Sequence, residues 1–250
     1  MRAMESSNPA FSDRVLEQFA VGSESTTMTV NGMVMKTLAA LAGVFLMAGV
    51  AWIQVSNGAN PMPFMLGGGI VGFVVALVTM FKPNLAPYTT PVYALAEGAL
   101  LGALSFFISR AFPDVPIVFQ AVCLTFGTLL VMLICYQTGM IRVTQRLRSG
   151  IMAATGAVML LYMVSWVLNM FTSYEIGFIH SSGIWGIGFS LFVVGLAAFN
   201  LLMDFDLVDR LVAQRAPKSM EWYAAFALLV TLIWLYIEIL RLLSKLQSRD

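Results

Sequence analysis

An all-α integral membrane fold, a bundle of seven transmembrane helices, is what this sequence predicts, on three observations. Of its 250 residues, 59% are hydrophobic and 11% charged, against roughly 25% charged in soluble domains, and the mean hydropathy is +0.85. Seven apolar stretches each approach the ~20 residues that a spanning helix needs. The loops between them alternate between rich and poor in lysine and arginine, as expected of a chain that crosses a membrane repeatedly.

Residues 1–34 read as a polar cytoplasmic tail. The segments SNPAFSDRV and GSESTTMTVNG contain no apolar core followed by a small-residue cleavage site, so no cleavable signal peptide is expected. A short helix is expected around Asp13 to Phe19. The transmembrane domain occupies 35–250, with spans predicted at 37–55, 64–81, 92–111, 117–138, 150–171, 182–203 and 222–242. PMP before the second span, KPNLAP after it and FPDVP after the third place prolines at boundaries, where they end helices without breaking them. Gly68 and Gly72, and likewise Gly98 and Gly102, have the small-xxx-small spacing that lets helices approach closely. The run GGGIVG lies inside an apolar span and lacks the Lys and Ser/Thr of a P-loop, so it reads as packing. Cys123 and Cys135 stand twelve residues apart in one apolar run, about 18 Å along a helix. They cannot bridge each other, and read as small buried thiols.

The basic loops set the orientation. Arg2, Arg14 and Lys36 precede the first span, Lys82 follows the second, Arg142, Arg146 and Arg148 follow the fourth, and Arg210, Arg215 and Lys218 follow the sixth; the opposite loops hold only Arg110. The N-terminus is therefore expected in the cytoplasm. Seven crossings put the C-terminus outside, although Arg241, Lys245 and Arg249 follow the last apolar run. A crossing is the preferred reading over a helix that dips and returns, because residues 222–240 cover roughly 28 Å of helix.

Acids at membrane depth are the candidate functional residues, since a charge in the bilayer core costs at least about 2.5 kcal/mol and usually faces a partner or a water path. Asp204 closes the sixth span, Glu238 lies in the seventh and Glu97 in the third. Asp206 has Arg210 four residues on and reads as an ordinary interfacial acid. Glu238 has Arg241 three residues on. Asp204 has Asn200 behind it but no base within helical reach. Glu97 has none either, so it must find a partner on another helix or hold a proton. If the sixth helix continues past Asp204 to about Arg210, Asp204 can approach the seventh. Two carboxylates brought close titrate as a coupled pair, which is a physical basis for a proton switch; deprotonated, they offer oxygen ligands of the kind that suit Ca²⁺.

Three segments, PVYALAEGALLGALS in the third span, AAFNLLMDFDLVDRL at the end of the sixth and LIWLYIEILRLLSKL in the seventh, resemble the Bax inhibitor-1 family, also called transmembrane Bax inhibitor motif or YccA-like proteins. The likeness covers nearly everything beyond residue 35. It implies a seven-helix bundle with the last helix central. It also implies a pH-sensitive calcium leak channel governed by one acid in the sixth span and one in the seventh, for which Asp204 and Glu238 are the matches. Here the second acid is glutamate where the family usually has aspartate, one methylene longer. The 34-residue separation implies an extended sixth loop. In some relatives a basic residue clamps the sixth-span acid, and Lys82, at the inner end of the second span, stands nearest to that role.

Other function classes find little footing. Net charge is +1, and no basic stripe for nucleic acid is present. No HExxH, Gly-x-Gly-Asp or Gly-x-Ser-Gly motif occurs, and the one histidine, His180, reads as a solvated outer-loop residue, so no enzyme is expected and no cofactor. The alternative is a regulatory protein that binds a membrane protease or another membrane partner, as the resemblance also implies, using its polar tail. The expected setting is the lipid bilayer of a bacterial cytoplasmic membrane, with calcium as the permeant or transiently bound ion.

Overall fold

Seven long helices carry the chain back and forth: α1 (Val30–Ser56), α2 (Met62–Phe81), α3 (Ala86–Ala111), α4 (Ile117–Gln137), α5 (Gln145–Thr172), α6 (Ile184–Ala213) and α7 (Met220–Gln247), with one 3-10 turn, Pro83–Leu85, before α3. The computed structural model describes residues 27–172 and 181–248. The expected helix near Asp13, His180 and Arg249 lie outside the described residues. All seven helices are long and apolar enough to cross a membrane, so the all-helical, seven-span class holds.

Local chemistry explains the ends. Thr29 caps α1 by accepting a hydrogen bond from the Gly32 N–H at 3.0 Å, one of the donors that a helix start leaves unpaired. Pro61 and Pro116 precede α2 and α4, where a missing N–H is harmless. Pro91 departs from the expectation that prolines mark boundaries: α3 begins at Ala86 and takes Pro91 into its second turn. The sixth helix runs ten residues past the predicted end at 203, because Phe205 and Val208 are still buried after the apolar run stops.

Close packing is built on the glycines. A Cβ at Gly68 would lie 2.5 Å from the Ala96 carbonyl oxygen of α3, and one at Gly98 would lie 2.6 Å from the Val44 carbonyl oxygen of α1. At Gly102 a Cβ would overlap the Ala48 backbone outright. The small-residue spacing therefore marks the α2–α3 and α1–α3 contacts, and the glycine run serves packing.

The last helix packs against α1, α3, α4 and α6. Of its most apolar stretch 61% is buried, against 17% in α2 and α4. Leu229, Leu235 and Leu240 are fully enclosed in the main core with Leu201 and Leu202 of α6. The helix runs antiparallel to α6 along its length, from the cluster of Val208 and Ala224 at one end to Lys245 beside Gly186 at the other. Arg241 and Lys245, which follow the last apolar run, have partners here. Lys245 is buried and its Nζ donates to the Gly186 carbonyl at 3.0 Å and to Ser190 Oγ at 2.8 Å, while Arg241 is bound to Glu238 and Tyr162. Lys245 is thus held inside the bundle, and Arg241, about a third exposed, is tied to it by Glu238 and Tyr162.

Candidate functional site at the junction of α6 and α7

The elongated α6 sets Asp204 against the middle of α7. Its carboxylate faces the Thr231 hydroxyl, and Oδ2 is sealed from solvent and has no hydrogen-bond partner among the described residues. Thr231 is itself only 3.3 Å from the Ala227 carbonyl oxygen. A hydroxyl has one proton to give, so Ala227 and Asp204 compete for it. Asn200, expected as the polar neighbour of Asp204, turns instead to α5, where its Nδ2 donates to Thr155 Oγ1 at 2.9 Å, and to the Leu196 carbonyl at 2.9 Å.

Glu238 lies seven residues beyond Thr231 on α7, about 10 Å along the axis, and has a different set of partners. Arg241 Nη1 donates to both its oxygens, at 3.0 and 3.1 Å, as the i+3 spacing predicts. The Tyr162 hydroxyl of α5 donates to Glu238 Oε2 at 3.2 Å and receives a hydrogen bond from Arg241 Nη1 at 2.6 Å. The guanidinium also sits 4.9 Å from the centre of the Tyr162 ring, within cation–π range. Glu238 is thus a buried, closed ion pair, and no hydrogen bond joins it to Asp204 among the described residues. Glu238 therefore lies about two turns along α7 from the level of Asp204 and is turned to Tyr162 of α5.

Glu97 is half-buried in α3, and its carboxylate fills the space that Gly72 of α2 leaves by having no side chain. It joins none of the ion pairs among the described residues. Lys82 caps α2 at an exposed position and does not reach Asp204, whose buried oxygen has no partner. No group of three or more acids, cysteines or histidines gathers as a metal site among the described residues. Calcium takes about 6–8 oxygen ligands, and Arg241 already pairs with the Glu238 carboxylate, so an ion at these two acids would have to displace Arg241.

Two sets of cross-helix charge partners escaped the sequence reading. Asp206 is held by Arg210, as expected, and also by Arg148 at the start of α5. Glu221, the second residue of α7, is fully buried at the start of α1. Its Oε1 accepts from the Thr29 N–H at 3.0 Å and the Thr29 hydroxyl at 3.1 Å, and its Oε2 pairs with Lys36. A main-chain bond of 2.8 Å from Met28 N to the Ala216 carbonyl fixes the same corner. The only sequence signal for it is an acid in the first turn of a helix, which does not point to another helix's N-terminus as its partner.

A family model described as Bax inhibitor 1 like matches residues 8–248, nearly the whole chain. No curated protein and no solved structure matches it.

Proposed function

The chain belongs to the Bax inhibitor 1 like family of membrane proteins, and from that premise we propose that it is a pH-sensitive calcium leak channel gated by protonation of Asp204 and Glu238. The observation that carries the reading is Asp204 Oδ2, enclosed between α6 and α7 without a hydrogen-bond partner. A carboxylate in that position has no base to balance it and shares its one facing hydroxyl with Ala227. A protonated Asp204 suits the site, because it can donate to Thr231 while Thr231 donates to Ala227. An ionised Asp204 needs water or a cation, which the closed packing does not admit. Proton loss therefore favours parting of α6 from α7, and the leak rises with pH.

Glu238 is the second acid of the switch. Its protonation releases Arg241 and Tyr162, so this site governs the α5–α7 contact while Asp204 governs α6–α7. Calcium is the permeant ion, with no catalysis and no cofactor, and the setting is a bacterial cytoplasmic membrane with the N-terminus inside. The test is calcium flux into liposomes across pH 5 to 8 for the wild type, Asp204→Asn and Glu238→Gln. The Asp204→Asn leak is expected to lose most of its pH dependence and Glu238→Gln part of it. A pH profile unchanged in both variants would sink the proposal.

A further inference from the structure

Helices α1 and α4 are neighbours that do not pack along their lengths; they meet through the Phe45–Phe126 ring pair, with centroids 6.1 Å apart. Below that pair lies a cavity of about 780 Å³, walled by Val34 and Leu38 of α1 and Leu133 of α4, and floored by α6 and α7. Val34 and Leu38 are exposed at 42% and 56%, so the cavity opens sideways between two spanning helices. The stretch of α4 along it, Phe126 to Gln137, is twelve residues, a rise of about 16 Å. That is close to half of the ~30 Å hydrocarbon thickness, the depth of one leaflet.

The open end carries a specific pair of charges. Arg142, exposed in the α4–α5 loop, lines it and forms no ion pair among the described residues. Asp209 lines it too; its Oδ2 accepts from the Tyr136 hydroxyl at 2.6 Å, and Oδ1 has no hydrogen bond among the described residues. The third charge at the mouth, Asp206, is already matched by Arg148 and Arg210. One cation and one anion thus stand over an apolar slot one leaflet deep.

We propose that this cleft binds one acyl chain of a zwitterionic aminophospholipid from the leaflet on the side of the α1 N-terminus, its phosphate on Arg142 and its ammonium on Asp209. The inference is independent of the calcium reading, since none of Asp204, Glu238 or Thr231 lines the cleft. A free fatty acid supplies the chain but not the ammonium, and an anionic phosphatidylglycerol meets Asp209 with no positive charge.

The test is native mass spectrometry of the full chain, delipidated in detergent and then offered phosphatidylethanolamine and phosphatidylglycerol in equal amounts. The expected result is one phosphatidylethanolamine per chain, retained at energies that strip other lipids. Arg142→Ala should weaken retention of both lipids about tenfold, the scale of one charge-assisted hydrogen bond, and Asp209→Lys should move the preference to phosphatidylglycerol. Val34→Trp should block the side opening and abolish retention while the melting temperature stays unchanged. Equal retention of the two lipids by the wild type overturns the proposal, as does an unaltered preference in Asp209→Lys or full retention by a folded Val34→Trp.

Discussion

Removal of the Glu221 carboxylate should loosen the corner where α7 begins against the start of α1. Glu221 is fully buried and balances Lys36, whose side chain is 20% exposed, while also holding the N–H and hydroxyl of Thr29. Breaking a fully buried ion pair by deleting one partner costs about 3–5 kcal/mol. The Lys36 stem can carry its ammonium to water, which lowers that share to about 2 kcal/mol. Loss of a helix-capping acceptor adds about 1 kcal/mol. Glu221→Ala should therefore destabilise the protein by about 3 kcal/mol, a fall in melting temperature of roughly 6–12 °C for a chain of this size. Thermal unfolding of the purified protein in detergent reads this directly. Pairing Glu221→Gln with Lys36→Met should recover part of the loss, because the orphaned cation is gone. A Glu221→Ala protein melting within about 1 °C of wild type would refute the reasoning.

Gly102→Ala should be strongly destabilising, by more than about 2 kcal/mol as expected of an overpacked contact, because its Cβ overlaps the Ala48 backbone; Gly49→Ala, with open space around its Cβ, should be neutral or stabilising by up to about 1 kcal/mol, and the difference in melting temperature between the two checks the α1–α3 contact. Tyr236→Phe leaves the buried Ser105 hydroxyl without its 2.7 Å partner and should cost about 1–2 kcal/mol, most of which Ser105→Ala in the same chain should restore, as a double-mutant cycle measures. Lys245→Met removes the donor to Gly186 and Ser190 and should cost about 1–3 kcal/mol, with faster hydrogen exchange at the first turn of α6; unchanged exchange there would show that Lys245 does not secure that end.

The spans were legible because each is a local property: a run of apolar residues near the bilayer thickness has few ways to satisfy its backbone other than as a helix. The Glu238–Arg241 pair was legible for the same reason, since i+3 spacing on one helix makes two side chains neighbours. The glycine spacing likewise announced close approach, and Gly68, Gly98 and Gly102 deliver it. What could not be read were partners on different helices. Asp206 displayed Arg210 in the sequence and concealed Arg148, 58 residues away. Glu221 displayed nothing, because its partners Thr29 and Lys36 precede it by 192 and 185 residues.

By itself, the sequence determined the membrane class, the seven helices and the acids that have no base within a helical turn. The tertiary structure alone decided which face of α7 meets α6 and at what register. That register sets Asp204 beside Thr231 and Lys245 beside Ser190, and so puts Glu238 two turns away with Tyr162 and Arg241. Hydrophobicity drives helices together without direction, so it specifies that α6 and α7 are buried but leaves their sliding position open. Glycine contacts, buried hydrogen bonds and charges that cannot be left unpaired select one position, and they act only once the helices are already side by side.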